Sequence, residues 1–219
     1  MLKRILLRLV YGRMMNDEPE RALRVLRIYI KLFRGDSTIV LLSVFIYLRL
    51  DMFDIYEKLL PTVKKIYEND ISYYLLKGVE YERKNDYEKA VSILTQGIEL
   101  TKGSADAYNN RGYYSLFLGD FEKALQDLDK AIEMNPKLYF AYNNRGFAKI
   151  KLNDESAIND IRKSLKGFDN NAMTYKNWAL WEFHFGDKSK VPKLLAKCKR
   201  RAYYTGIKEE VAELEELLI

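Results

Sequence analysis

A six-residue phrase, Ala-Tyr-Asn-Asn-Arg-Gly, occurs twice in the chain, at residues 107–112 and again at residues 141–146. The copies are 34 residues apart, and eight of the fourteen residues from each alanine onward are identical. A fixed period of this length is typical of solenoid proteins, in which each short repeat packs on its neighbours. We therefore expect the 219 residues to form one elongated domain.

The turn residues between successive helical segments predict pairs of helices. Only four prolines and eleven glycines leave little room for linkers. Glycine or asparagine can end a helix in the left-handed conformation, and a following aspartate can cap the next helix. Such steps occur at Asn85-Asp86, Gly119-Asp120, Asn153-Asp154 and Gly186-Asp187. Pro61 lies inside a helical segment, so we expect a kink or a break near Leu60.

The N-terminal part of the chain is basic. Residues 1–50 carry ten Lys or Arg against four acids, in a chain whose net charge is +6. Helical spacing predicts an apolar face formed by Leu2, Ile5, Leu6, Leu9 and Val10. The next helix has a basic stripe of Arg21, Arg24, Arg27, Lys31 and Arg34 opposite Ala22, Leu23, Leu26, Tyr29 and Ile30. Phosphates or an acidic protein could bind this stripe, and a solvated surface explains it equally well.

Motifs for catalysis or for metal binding do not occur in the sequence. There is no phosphate-binding glycine loop, no His-Glu-x-x-His, no cysteine pair and no Gly-x-Ser-x-Gly. With one histidine, His184, and one cysteine, Cys198, we expect neither an enzyme nor a cofactor, and we expect Cys198 to occupy a core position.

The same sequence favours a cytoplasmic protein. The lone cysteine cannot form an intramolecular disulfide, and the first residues do not resemble a secretory signal. The longest apolar run, residues 39–48, is about half as long as the roughly 20 residues of a membrane-spanning helix. No membrane insertion is expected, and the oligomeric state stays open.

Three units of the chain resemble the tetratricopeptide repeat, whose pattern places an aromatic residue, a glycine and later an alanine at fixed spacing. The matching residues are Tyr74, Gly78 and Ala90, then Tyr108, Gly112 and Ala124, then Tyr142, Gly146 and Ala157. Lys77, Arg111 and Arg145 stand where the family usually has leucine, and their role is left open.

The resemblance implies an all-α fold, a right-handed α-solenoid superhelix of about six helix-turn-helix repeats with a C-terminal capping helix. The clear repeats occupy residues 71–171, after degenerate repeats at 1–70 and before a divergent repeat at 172–201 and a cap at 202–219.

In this family the first helix of each pair lines a concave groove, and three positions per repeat point inward. Reading those positions across the repeats predicts three rows of groove residues. The first contains Asn110, Asn144 and Asn177, the second Tyr113, Phe147 and Leu180, and the third Arg49, Arg83, Phe117, Lys151 and His184. Asparagines could hold the peptide groups of an extended ligand or form a purely structural ladder, while the third row favours carboxylates.

The predicted function is therefore non-catalytic binding of an extended, partly acidic peptide segment or a small protein domain. Two alternatives stay open: an immunity protein that covers a cognate toxin or enzyme, and an RNA or acidic-polymer binder that uses the basic stripe. Nucleic acid is the less expected partner, because Trp178, Trp181 and Phe185, which could stack on bases, are predicted to pack in the core.

Overall fold

The computed structural model describes residues 2–15, 19–33, 38–50, 52–167 and 171–202. These ranges contain twelve α-helices and one 3-10 turn, Lys188–Lys190, and they contain no β-strand. The helices are α1 (Leu2–Met15), α2 (Pro19–Leu32), α3 (Thr38–Arg49), α4 (Phe53–Tyr67), α5 (Ile71–Arg83), α6 (Tyr87–Thr101), α7 (Ala105–Phe117), α8 (Phe121–Met134), α9 (Tyr139–Lys151), α10 (Ala157–Gly167), α11 (Ala172–Phe185) and α12 (Val191–Ala202). The predicted all-α fold is confirmed.

The helices pack as a solenoid of six consecutive pairs. Each odd-numbered helix packs on the even-numbered helix that follows it, from α1 with α2 to α11 with α12. The first helices of neighbouring pairs also touch, so that α3, α5, α7, α9 and α11 form a continuous row. The predicted cap at residues 202–219 lies outside the described residues, apart from Ala202 at the end of α12.

Three of the four predicted turns contain a left-handed residue. The φ angle is +54° at Asn85, +76° at Gly119 and +59° at Asn153. After two of them, the side chains of Asp86 and Asp154 accept main-chain N–H groups near the start of the next helix. These turns therefore have the chemistry that the sequence indicates.

Two details of the turns differ from the prediction. Gly186 has a φ of −118°, in the ordinary region, and the carboxylate of Glu182 folds over it to accept the main-chain N–H of Asp187 at 2.9 Å. A side chain at Gly186 would overlap that carboxylate, so the glycine provides space rather than a left-handed turn. Asp120 makes no capping hydrogen bond and instead pairs with Lys123 at 2.9 Å.

Helix α4 continues through Pro61, so the expected break near Leu60 does not occur. Pro61 and Glu57, the residue four positions earlier, are both exposed. A main-chain carbonyl that loses its helical hydrogen bond there can bind water instead. Burial of Tyr56 and Val63 on the opposite side keeps the helix packed.

The predicted apolar face of α1 is only partly buried. Leu6 and Val10 are in the core, but Leu2, Ile5 and Leu9 are exposed. Among the described helices, α2 is the only one with which α1 shares extensive packing, so one side of α1 stays uncovered. On α2 the residues Ala22, Leu26 and Tyr29 are buried and Leu23 is half-buried as expected, whereas Ile30 is exposed, contrary to the prediction.

Small residues bring the paired helices close together. A Cβ atom added to Gly112 would lie 3.0 Å from Leu128 Cγ and 3.1 Å from the carbonyl oxygen of Ala124. Ala124 itself is fully buried, as are its equivalents Ala90 and Ala157. Close approach of α7 to α8 therefore depends on the glycine and alanine of the repeat pattern. Cys198 is also fully buried, as predicted.

Candidate functional site

The arginines of the repeated phrase connect helices. Arg145, on α9, donates from Nε and Nη2 to Asp160 on α10 at 2.9 and 2.6 Å, and from Nη1 to Asp129 on α8 at 2.7 Å. Arg111 binds Asp127 on α8 in the same two-pronged way at 2.8 and 2.7 Å, and its third nitrogen reaches a hydroxyl on α6. Each guanidinium thus joins its own helix pair to the preceding pair, which assigns the open role of both arginines.

The asparagines of the phrase form two short ladders across the repeats. Asn144 Nδ2 donates to Asn109 Oδ1, and Asn109 Nδ2 donates to Asn110 Oδ1, both at 3.1 Å. Asn177 Nδ2 donates to Asn143 Oδ1 at 3.0 Å and to the Asn143 carbonyl at 3.3 Å. Part of the hydrogen-bonding capacity predicted for a ligand is therefore used within the protein.

One polar atom in this network lacks a partner. Asn177 is 1% exposed, and its Oδ1 accepts no hydrogen bond from the described residues. A buried acceptor without a donor costs about 1–3 kcal/mol, so such groups usually mark a place that water or a ligand fills. Asn177 borders the groove described next.

A groove of about 570 Å³ lies along α7, α9 and α11. Seven of the predicted groove residues line it: Tyr113, Phe117, Asn144, Phe147, Lys151, Asn177 and Leu180. Six further lining residues were not among the predicted ones: Leu116, Gly119, Phe121, Asn143, Met173 and Lys176. Asn143 and Lys176 both lie three residues before the glycine position of their repeat, which Gly146 and Ala179 occupy. A fourth row read at that spacing would have found them.

Aromatic rings form one wall of the groove. Phe117 is 46% exposed, yet its ring is held in place. It stacks on Tyr87 with a centroid distance of 4.4 Å and an angle of 7°, and it meets the ring of Tyr113 edge-on at 5.0 Å. These contacts hold a large apolar surface in place where it faces solvent. A partner that binds there therefore causes little further loss of side-chain entropy.

Two lysines give the groove positive charge. Lys151 Nζ and Lys176 Nζ lie 5.5 and 5.8 Å from the centroid of the Phe147 ring, within the range of a cation–π contact. No acidic residue occurs among the described residues that line the groove. An anionic group in the groove would therefore meet cations beside an apolar surface.

Four predicted groove residues do not line this cavity. Asn110 is half-buried and accepts the hydrogen bond from Asn109. His184 is exposed near the C-terminal end of α11, with its ring 5.3 Å from that of Phe183. Arg49 and Arg83 lie farther along the row of first helices, on α3 and α5.

Those two arginines have a carboxylate neighbour. Burial raises the pKa of Glu82 above its usual value, and the Tyr114 hydroxyl, which donates to Glu82 at 3.1 Å, together with the charges of Arg49 and Arg83, acts in the opposite direction. Two of the positive charges predicted for the groove therefore lie near an acidic side chain.

Two other candidate surfaces are the basic stripe on α2 and the aromatic residues on α11. Arg21, Arg24, Arg27 and Lys31 are exposed on α2, and Arg34 lies outside the described residues. The aromatic residues Trp178, Trp181 and Phe185 are half-buried and pack against the core cluster of Ile150, Ala157, Ile161 and Leu180. In addition, the two indole N–H groups are used within the protein, at 3.1 and 2.9 Å. These three side chains are thus packed rather than available as a stacking platform.

Within the described ranges, no group of three His, Cys, Asp or Glu side chains is arranged to hold a metal ion. None of the described helices has the length and apolar character needed to cross a membrane.

The fold and the groove define the class of protein. A solenoid of helix pairs with an aromatic and basic groove along its first helices is a helical repeat protein. Sequence models of the tetratricopeptide repeat match residues 71–103 and residues 105–138. Residues 71–138 are therefore repeats of the tetratricopeptide family, whose members generally bind protein or peptide partners without catalysis.

Solved structures share the fold at low sequence identity. The Cut9–Hcn1 hetero-tetramer of the APC/C aligns with a TM-score of 0.77 and 10% identity over 90% of this chain, which spans only 38% of that chain. PilW, a type IV pilus biogenesis factor, aligns with a TM-score of 0.64 and 15% identity, over 97% of this chain and 99% of the PilW chain. YrrB, a repeat protein with an unusual peptide-binding site, aligns with a TM-score of 0.56 and 13% identity, over 87% of this chain and 97% of the YrrB chain. A search of curated proteins finds no match.

Proposed function

We propose that the groove along α7, α9 and α11 binds an extended, partly acidic segment of another protein, and that the chain acts as an adaptor without catalysis. The observation that supports this most is the composition of the groove. Apolar and aromatic side chains are combined there with Lys151 and Lys176, and no carboxylate lines it among the described residues. Acidic residues on a partner would be attracted, and apolar ones would be buried.

The unpartnered oxygen of Asn177 supports the same proposal. A donor from a bound segment would satisfy this buried acceptor through a bridging water. Asn144, which is bound through its Nδ2 to Asn109, lines the groove beside it. A ligand that satisfied the Asn177 oxygen would remove the desolvation cost that the free protein bears.

The tetratricopeptide repeats add general support, because members of that family bind peptides and proteins. YrrB, which shares the fold, has a peptide-binding site. We place the protein in the cytoplasm, because its single cysteine, Cys198, is buried and needs no oxidising compartment.

Charge reversal in the groove tests the proposal. A partner captured by the full-length chain from its source cells is titrated with wild type, with Lys151→Glu and with Lys123→Glu. Lys151 lines the groove, whereas Lys123 is an exposed lysine of α8 outside it. We expect Lys151→Glu to weaken binding about tenfold or more, since reversal puts like charges together, and Lys123→Glu to have little effect.

Far-UV circular dichroism of both variants checks that the fold is retained. Equal binding by the two variants, with both folded, would reject the groove as the binding site.

A further inference from the structure

Helix α1 carries an exposed apolar strip. Leu2, Ile5 and Leu9 are 53, 43 and 45% exposed, although they belong to a helix whose Leu6 and Val10 are in the core. Their spacing of three and four residues places them in one line about 10 Å long on the helix surface. Exposure of such a line of large aliphatic side chains to water is unfavourable, and a partner that covered it would gain free energy of binding.

Cations border this strip. Arg4 and Arg8 are exposed and four residues apart, which places them along the side of the strip away from Leu6 and Val10. The sequence of α1 contains no Asp or Glu. Around the helix, the order is therefore a buried face, an exposed apolar strip and then a basic strip.

We propose that α1 attaches the protein reversibly to the surface of an anionic lipid bilayer. Leu2, Ile5 and Leu9 would enter the boundary between headgroups and acyl chains, and Arg4 and Arg8 would bind lipid phosphates. Helices that lie in a membrane interface combine these two features, an apolar strip and adjacent cations without acids. This attachment is separate from the groove, which lies on α7, α9 and α11.

The combination of features favours a lipid surface over other anionic or apolar partners. Nucleic acid phosphates would bind Arg4 and Arg8 but would leave the aliphatic strip in water. A second copy packed on the strip with the two α1 helices antiparallel would bring the arginines of both copies to the same side. Three half-exposed side chains are also far fewer than the roughly 20 residues that each side contributes to a stable protein interface.

Vesicle flotation of the full chain tests the proposal. The probes are phosphatidylcholine vesicles and vesicles of equal parts phosphatidylcholine and phosphatidylglycerol. We expect binding to the mixed vesicles, little binding to phosphatidylcholine alone, and a loss of binding as salt is added.

Two double variants separate the contributions. Arg4→Gln/Arg8→Gln should weaken binding roughly fivefold for each charge removed, and Ile5→Ser/Leu9→Ser should weaken it at least about tenfold by removing buried aliphatic carbons. The matched control is Arg162→Gln/Lys166→Gln on α10, which removes two exposed cations that are also four residues apart and should bind about as well as wild type. All changes are at exposed positions, and circular dichroism checks the fold.

Several results would overturn the proposal. These are equal binding to neutral vesicles, wild-type binding by Ile5→Ser/Leu9→Ser, or a loss in the α10 control as large as that in Arg4→Gln/Arg8→Gln. A dimer in sedimentation that Ile5→Ser/Leu9→Ser dissociates, with no vesicle binding, would assign the strip to a second copy instead.

Discussion

At the scale of single residues, the unusual arginines of the repeated phrase are explained by carboxylates on second helices. Arg145 stands where leucine is usual in the family, and it faces Asp160 and Asp129, of which Asp160 is buried. The sequence contains a clue, since Asp127 and Asp160 occupy equivalent places in α8 and α10. The repeat period alone could not predict these arginine–aspartate pairs, because it does not determine which side chains of two packed helices come into contact.

Arg145→Leu restores the usual residue but removes the partner of a buried carboxylate. Of its ion pairs with described residues, Asp160 would keep the one with Lys149, 3.0 Å away, and we expect a loss of about 3 kcal/mol in the free energy of unfolding. Arg145→Leu/Asp160→Leu should be more stable than the single variant, because no buried charge is left unpaired.

Denaturant unfolding measures both variants beside Arg162→Leu, an exposed control that should stay within about 0.5 kcal/mol of wild type. An Arg145→Leu protein as stable as wild type would refute this role.

A second buried carboxylate makes stability depend on pH. Burial opposes ionisation of Glu80, but hydrogen bonds from Lys77, Lys84 and Tyr56 outweigh it and hold the pKa of Glu80 below its ordinary value of 4.5. A lowered folded-state pKa stabilises the protein above the ordinary value, and this stability is lost as the pH falls through the lowered pKa.

Glu80→Gln should therefore lose about 1–3 kcal/mol at neutral pH, because the ion pairs with Lys77 and Lys84 become hydrogen bonds to a neutral acceptor. The difference from wild type should shrink as the pH falls below 4.5. Thermal unfolding across that range measures it, and a difference that stays constant down to about pH 3 would show that the ionised carboxylate is not its source.

At the scale of helices, the repeat pattern predicts the architecture well and its exceptions poorly. The left-handed residues Asn85, Gly119 and Asn153 follow from their chemistry, because few residue types adopt that conformation readily. Gly186 does not follow, since its role depends on the side chain of Glu182. The uncovered strip on α1 has a similar cause: apolar spacing predicts a face but not which neighbour covers it.

Gly112→Leu tests the close approach of α7 and α8. A side chain there would press on Leu128 and on the carbonyl of Ala124, and overpacking of this kind costs about 1–3 kcal/mol. Gly12→Ala is the matched control, because a Cβ at Gly12 has no atom within 4 Å and alanine favours the helix by up to about 1 kcal/mol.

The free energy of unfolding, measured with denaturant, should thus fall for Gly112→Leu and rise for Gly12→Ala. A Gly112→Leu protein as stable as wild type would contradict the role of this glycine in helix packing.

At the scale of the whole molecule, the groove is the feature in which most of the residues chosen from the sequence come together. Seven predicted residues line it because three inward positions recur in every repeat, and the period carries them into one surface. Arg49, Arg83 and His184 fall outside it, since they lie in earlier repeats or at the end of α11. Lys176 belongs to a fourth row that the three predicted rows do not include. The hydrogen bonds among the asparagines could not be predicted from the rows, because they depend on contacts between repeats.

The groove proposal is tested most directly by photo-crosslinking from matched positions. p-Benzoylphenylalanine replaces Phe117, which lines the groove and is 46% exposed, or Met134, which is 45% exposed at the end of α8 and does not line it. Each protein is irradiated with the partner captured by the full-length chain. We predict a covalent adduct from position 117 and none from position 134. An adduct from position 134 without one from position 117, in folded proteins, would contradict binding in the groove.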